Sequence, residues 1–77
     1  MRKSKKVKVP RAPHEVLAAE VLRLRHVRGW SQERLAQKAQ LAAKTIHRIE
    51  TGQRASFQSV LALSLAFDVP IDALVKD

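Results

Sequence analysis

The sequence of 77 residues lacks cysteine altogether and holds only two glycines, three prolines and three aromatic residues. Without cysteine, neither a disulfide nor a thiolate metal site can form. Gly29 and Gly52 both stand at the ends of predicted helices, so no phosphate-binding glycine loop can be built from them. A chain of this length is near the lower limit for one unstapled hydrophobic core, and its aliphatic composition suits a compact helical bundle.

Long apolar runs are missing as well. No stretch approaches the length of a membrane span, and the basic start is not followed by the apolar core of a signal peptide. We therefore expect a cytoplasmic, nucleoid-associated protein with no membrane partner. His14, His26 and His47 show no metal-ligand spacing, and nothing suggests the buried acid–histidine pair of a serine hydrolase. We expect no enzyme activity, no metal and no cofactor.

Acidic residues are missing from positions 1–13, which carry the six cations Arg2, Lys3, Lys5, Lys6, Lys8 and Arg11. Residues 14–77 hold nine Lys and Arg against seven Asp and Glu, so most of the net charge of +8 lies at the start of the chain. A basic chain favours nucleic acid or an anionic membrane as its partner. The basic segment lacks apolar anchors for a membrane and is too charged to fold alone. We predict a disordered basic segment over 1–13 and a folded domain over 14–77.

Residues 31–52 predict two short helices joined by a tight turn. The first covers about Gln32–Ala39, and the hydroxyl of Ser31 can cap its free backbone N–H groups. The second covers about Ala43–Glu50 and ends before Gly52, because glycine most easily takes the left-handed conformation that follows a helix.

The second of these helices is amphipathic. At about 100° per residue, Ile46 and Ile49 fall on one side, and Lys44, His47 and Arg48 fall nearly opposite. A helix with such a cationic, hydrogen-bonding side fits the major groove of DNA, where the base edges present distinct donors and acceptors. An ordinary surface helix with a solvated polar side would show the same pattern.

The spacing of several groups of residues between positions 24 and 74 matches that of a known family. These groups are Leu24-Arg25, Gly29-Trp30-Ser31-Gln32-Glu33, Leu35-Ala36, Leu41, Thr45-Ile46, Arg48-Ile49-Glu50, Gly52, Ser56-Phe57, Val69-Pro70-Ile71-Asp72 and Leu74. With this pattern, the chain resembles the lambda-repressor-like, Cro-type helix-turn-helix family over about two thirds of its length. Two residues depart from the family pattern. Gln40 stands where the turn usually has glycine, and Ala42 where Ser or Thr usually caps the second helix.

These departures bear on the turn of the motif. A positive φ at Gln40 would cost roughly 1 kcal/mol. The missing side-chain cap at Ala42 would cost about as much again. We expect the motif to survive with a slightly altered turn.

The resemblance implies an all-α, compact five-helix bundle of the lambda-repressor-like DNA-binding type. Besides the two motif helices, we expect helices over 14–28 and 57–67 and a last helix from Pro70 to near Lys76. The apolar spacing places in the core Leu17, Val21, Leu24, Leu35, Ala36, Leu41, Phe57, Val60, Ser64, Phe67, Ile71 and Leu74, with Val27 and Leu63 beside them. Trp30 is expected to fill the junction of the first two helices.

The resemblance also implies that the second motif helix enters the major groove of double-stranded DNA. The expected DNA-binding residues are Gln32, Ala43, Lys44, Thr45, His47, Arg48 and Arg54, with Lys3, Lys5, Lys6 and Lys8 of the basic segment. Ala43, Lys44 and Arg48 are expected to reach base edges. Gln32 is expected to bind phosphate and to buttress the second helix, and Arg54 to bind the DNA backbone together with the start of the next helix.

Three roles have alternatives. His47 either contacts DNA or is simply solvated. The basic segment is either a solubilising tail or an arm that wraps the duplex or enters its minor groove, as in some family members. Arg25 is expected to pair with Glu50, as the family has it, but it could also be one more cation that faces phosphate.

Leu61 and Leu65 lie four residues apart and off the main core stripe of their helix. A small bundle could bury them, or they could form a dimer surface, since exposed apolar patches commonly mark association. We favour a homodimer that represses transcription from a palindromic operator. The alternatives are an antitoxin-type module that binds a toxin-like protein and regulates its own synthesis, and a generic nucleic-acid-binding protein.

Overall fold

The computed structural model describes residues 15–75, which form an all-α fold. Its elements are α1 (Ala18–Val27), α2 (Gln32–Ala39), α3 (Ala43–Glu50), α4 (Phe57–Phe67) and a 3₁₀ turn (Ile71–Ala73). The predicted bounds of α2, α3 and α4 are confirmed. Within the described residues, no helix is long and apolar enough to cross a membrane.

The fifth helix expected near the end of the chain is a single 3₁₀ turn. After Pro70, the N–H of Ala73 donates to the carbonyl of Pro70 at 3.0 Å and that of Leu74 to Ile71 at 2.8 Å. The carbonyl of Leu74 then accepts the N–H of Leu17, also at 2.8 Å, which ties it to the other end of the domain. Val75 pairs with Val16 in an isolated antiparallel bridge, so the helical turn ends before it, and the expected end near Lys76 lies outside the described residues.

The first helix also begins later than the expected range 14–28. Val16 forms an isolated antiparallel bridge with Val75, and α1 starts only at Ala18. A β-branched valine suits this extended pairing. The two ends of the described chain are therefore joined to each other, and residues 15–17 stay outside the helix.

The core lies where all four helices meet. Its buried apolar residues are Val16, Val21, Leu24, Leu35, Ala36, Ala39, Ile46, Ile49, Ala55, Val60, Leu63, Phe67 and Leu74. Leu63, expected beside the core, is fully buried. Four residues expected in the core are half-buried instead: Leu17, Leu41, Phe57 and Ile71. Leu17 precedes α1 and Phe57 opens α4, so neither is enclosed by helix on both sides.

The expected place of Val27 beside the core is wrong, because its side chain is 69% exposed. Arg25 faces α3, where it contacts Glu50. At about 100° per residue, Val27 falls roughly opposite Arg25 around α1, and therefore points away from α3 into solvent.

Trp30 lies in the turn between the first two helices, where it packs against the core and also against α4. Its ring stacks on that of Phe67 with centroids 5.9 Å apart and an interplanar angle of 9°. The guanidinium of Arg28 lies 5.7 Å from the Trp30 centroid and 5.3 Å from that of Phe67, and it donates to the Phe67 carbonyl. The turn between α1 and α2 is thus fastened to the end of α4 by stacking and cation–π contacts.

Candidate DNA-binding surface

The outer side of α3 is polar and cationic. Ile46 and Ile49 are buried against the core, whereas Lys44, His47 and Arg48 are exposed. The amphipathic pattern of this helix is therefore confirmed. Of the other expected contact residues, Ala43 and Thr45 are half-buried at the start of α3. The exposed side of this helix presents two permanent cations and an imidazole, and it carries no acid.

The turn before α3 has the unusual geometry that its sequence suggested. Gln40 adopts the left-handed conformation, with φ 57° and ψ 43°, and the N–H of Leu41 donates to the carbonyl of Ala36 at 2.9 Å. This is the arrangement in which a helix normally ends on glycine. Ala42 precedes α3 in an extended conformation, and it has no side-chain oxygen with which to cap the helix.

The acid at the end of α3 is held by two side chains. Arg25 of α1 donates from Nε to Glu50 Oε2 at 2.6 Å and from Nη2 to Glu50 Oε1 at 3.0 Å. Gln32, the first residue of α2, donates from Nε2 to Glu50 Oε1 at 2.9 Å. Arg25 also donates from Nη1 to the carbonyl of Trp30 at 2.9 Å. One carboxylate thus joins the first three helices, and Gln32 is the buttress that the sequence led us to expect.

This network is nearly closed to solvent, since the side chains of Arg25 and Glu50 are only 11% and 5% exposed. Burial acts to raise the pKa of Glu50, but the hydrogen bonds from Arg25 and Gln32 together outweigh it and hold that pKa below its ordinary value of 4.5. The same hydrogen bonds from Arg25 raise the pKa of its guanidinium. Glu50 is therefore ionised and neutralised by its partner, so it does not oppose an anion at the exposed side of α3.

The remaining site residues lie near the ends of α3 and α4 or outside the described range. Arg54 is exposed in the loop that follows α3, and the neighbouring Gln53 N–H donates to the Arg48 carbonyl at 3.0 Å. Ser56 then caps α4 by accepting the N–H of Ser59 at 3.2 Å. Lys3, Lys5, Lys6 and Lys8 all lie outside the described residues.

The two leucines suggested for a dimer surface are exposed on α4. Leu61 is 37% exposed and Leu65 is 72% exposed. The alternative that the bundle buries both is therefore wrong.

Sequence reasoning missed one structural contact close to this site. The Arg28 clamp on Trp30 and Phe67 joins residues far apart in the chain, and the local spacing carried no signal for it beyond the presence of two aromatic residues. It fixes the start of α2, and with it Gln32, relative to α4.

Comparisons with known proteins agree with this geometry. A helix-turn-helix family model matches residues 22–74. A search among curated proteins gave no match. Among solved structures, the chain is similar to the restriction-modification controller protein C.AhdI from Aeromonas hydrophila, with 32% identity and a TM-score of 0.68 over 73% of this chain and 86% of that one.

A second similar structure is SinR, the master regulator for biofilm formation, solved in complex with DNA. It shares 26% identity and a TM-score of 0.66, over 71% of this chain and 90% of that one. The family match covers more than half of the chain, and both structures belong to helix-turn-helix transcriptional regulators. The chain therefore belongs to the lambda-repressor-like helix-turn-helix family of DNA-binding transcriptional regulators.

Proposed function

We propose that the protein is a dimeric repressor that reads a palindromic operator by placing α3 in the major groove of each half-site. The observation that carries the proposal is the exposed side of α3: Lys44, His47 and Arg48 point outward, while the single acid of the helix is neutralised by Arg25. An electropositive helix with its apolar side buried is the form in which such domains read base edges.

Arg48 and Lys44 are the base-reading residues in this proposal. Both are exposed, and both suit the O6 and N7 acceptors of guanine, which Arg can engage in a bidentate manner. Ala43, at the start of the helix, can only touch a thymine methyl group. Thr45 and His47 contribute through their hydroxyl and imidazole groups to bases or phosphates.

Phosphate contacts position the helix. Gln32 uses one hydrogen of its amide nitrogen for Glu50, and an amide has a second hydrogen to donate to a phosphate oxygen. Arg54 and the capped start of α4 follow α3 in the chain. In this proposal they contact the DNA backbone. Lys3, Lys5, Lys6 and Lys8 add affinity without sequence preference, as an arm over 1–13.

The dimer rests on the exposed Leu61 and Leu65 of α4. In this proposal a two-fold axis through that helix relates the α3 helices of the two copies. Two recognition helices related in this way require two half-sites of inverted sequence, about one helical turn apart.

The test is selection of bound sequences from random duplex DNA, followed by affinity measurements on the selected and a random duplex over a salt series. We expect a palindromic consensus. Deletion of residues 1–11 should weaken both duplexes by similar factors and flatten the salt dependence by about 0.9 for each phosphate that the arm neutralises. Failure to enrich any consensus would favour generic nucleic-acid binding, and a stoichiometric protein that co-purifies would favour the antitoxin role.

A further inference from the structure

A surface groove of about 340 Å³ runs beside the exposed leucines of α4. Its lining comes from the end of α2 and the turn before α3 on one side and from α4 on the other: Lys38, Ala39 and Gln40, with Gln58, Leu61, Ala62 and Leu65. Leu65 thus stands at its edge with most of its side chain in solvent. One patch therefore holds both an apolar protrusion and an apolar recess.

We propose that the groove is the receptor for Leu65 of a second copy of this chain, so that each copy inserts its leucine into the groove of the other. This inference rests on the proposed dimer and specifies its geometry. A two-fold interface brings the same patch of both copies together, and it is self-complementary only if the patch contains both partners of each contact. The Leu65 protrusion and the adjoining groove meet that requirement.

Charge supports a second copy as the occupant. Residues 14–77 carry nine Lys and Arg against seven Asp and Glu, so a contact through most other faces of the domain would take charged side chains out of water. The eleven residues of α4 include no Lys, Arg, Asp or Glu. Among the described residues, the only charged one that lines the groove is Lys38, and its Nζ lies 5.1 Å from the centroid of the Trp30 ring, which attracts a cation to its face. Two copies can therefore approach through α4 without strong repulsion.

The insertion also explains why Leu65 is left so exposed in the single chain. Covering a leucine of this exposure on both copies removes apolar surface from water, as does filling the groove with apolar atoms. Mere side-by-side contact of two α4 helices would cover Leu65 but leave the groove open. The two arrangements make opposite predictions for a larger side chain inside the groove.

The first experiment is therefore sedimentation equilibrium of the full chain with Ala62→Leu, which adds apolar volume to the groove wall. Insertion predicts that the dimer dissociation constant rises at least about tenfold, because the groove is blocked. Side-by-side packing predicts an unchanged or lower constant, because more apolar surface is available. Ala19→Leu, at an exposed alanine of α1, is the matched control and should leave the constant unchanged.

A second measurement decides the question if Ala62→Leu does not fold. The chain has no native cysteine, so Leu65→Cys and Gln40→Cys each introduce a unique thiol. When the two proteins are mixed and gently oxidised, insertion predicts that the mixed Leu65→Cys/Gln40→Cys disulfide predominates. A product made only of Leu65→Cys homodimers overturns the insertion while leaving the dimer intact.

Measurements on the wild type test the dimer itself as well as the insertion of Leu65 into the groove. A wild type that remains a monomer at tens of micromolar overturns the dimer and the insertion together. Native mass spectrometry that finds the monomer with a retained small molecule or foreign protein would assign the groove to that occupant and overturn the insertion as well. The insertion is supported if the wild type is a dimer, Ala62→Leu weakens that dimer, and the Leu65→Cys and Gln40→Cys variants form the mixed disulfide.

Discussion

The exposed sides of α3 and α4 differ in almost every physical property. The outer side of α3 carries Lys44, His47 and Arg48, whereas α4 presents Leu61 and Leu65 from a helix without a charged residue. A cationic surface binds a polyanion more tightly, and does so best at low salt. An apolar surface binds any partner that removes it from water. One small domain can therefore separate DNA reading from self-association by using two helices.

The largest effect should come from placing charge on the apolar side. Leu65→Glu should yield a folded monomer, because a dimer would have to take two carboxylates out of water into a largely apolar interface. Loss of the second half-site should weaken operator binding by about 10²–10⁴-fold, since bivalent binding commonly adds that much. Sedimentation equilibrium and operator titration measure the two effects.

The matched control for Leu65→Glu is Val27→Glu, since Val27 of α1 is 69% exposed and Leu65 is 72% exposed. The control should remain dimeric and bind the operator as the wild type does. If Leu65→Glu stays a dimer, or if both variants lose the dimer alike, α4 is not the association surface.

The next largest effect concerns the pair of Arg25 with Glu50, in which Arg25 neutralises the acid at the end of α3. Arg25→Met leaves the Glu50 carboxylate buried without its ion partner. Glu50→Gln likewise leaves the Arg25 guanidinium buried without one. Each should lower the free energy of unfolding by about 3 kcal/mol, because removal of one partner strands a buried charge. The double variant should lose less than the sum of the two.

Urea denaturation of all four proteins gives the coupling energy of this cycle. The exposed pair of Arg23 with Glu20 provides a control, and its cycle should give less than about 1 kcal/mol. A coupling energy for Arg25 and Glu50 that is no larger than this would mean that the pair does not hold α1 to α3.

The same carboxylate should make stability depend on acid pH. The pKa of Glu50 in the folded chain lies below its ordinary value of 4.5, so its ionisation stabilises the fold above about that pH. This stabilisation is lost as the pH falls through the lowered pKa. The free energy of unfolding should therefore fall less steeply in Glu50→Gln than in the wild type below pH 4.5. Glu20, whose pKa is also lowered by Arg23, is present in both proteins and cancels. Parallel curves would show that Glu50 is not the group responsible.

A smaller effect should separate reading of bases from general attraction to DNA. Arg48→Ala should cost roughly 1–3 kcal/mol on the operator and relax the preference at one base pair of each half-site. Binding to a random duplex should fall much less. Lys44→Ala is the comparison: it should resemble Arg48→Ala if it reads a base, and the deletion of residues 1–11 if it holds phosphate. Equal losses on both duplexes for Arg48→Ala would remove the base-reading role.

The local sequence predicted α2, α3 and α4 well, because short-range chemistry determines their ends. Ser31 and Ser56 cap α2 and α4 as the sequence suggests, and Gly52 follows α3 with φ 100°. The Ile46 and Ile49 pair correctly identified the buried side of α3. These features depend on residues within one or two helical turns of each other.

The failures of prediction come from contacts between distant parts of the chain. The start of α1 and the 3₁₀ turn near the end both follow from the pairing of Val16 with Val75, whose partners are too far apart for periodicity to connect. The stacking of Trp30 on Phe67 was not predicted for the same reason. The Arg25–Glu50 pair is also long-range, and only the resemblance to a family pointed to it.

The smallest expected effect concerns the first turns of α3 and α4, which differ in their capping residues. The Ser56 hydroxyl accepts the N–H of Ser59 at 3.2 Å, whereas α3 begins after Ala42, which has no acceptor in its side chain. Ala42 already has the extended backbone, with φ −71° and ψ 144°, that a capping residue requires, so Ala42→Ser needs no backbone change. We expect this substitution to raise the free energy of unfolding by about 1 kcal/mol and Ser56→Ala to lower it by a similar amount. Urea denaturation measures both, and the denaturant slope should stay constant because the same surface is exposed on unfolding. If Ala42→Ser brings no gain while Ser56→Ala brings the expected loss, the first N–H groups of α3 are already well solvated, and the missing cap costs this helix nothing.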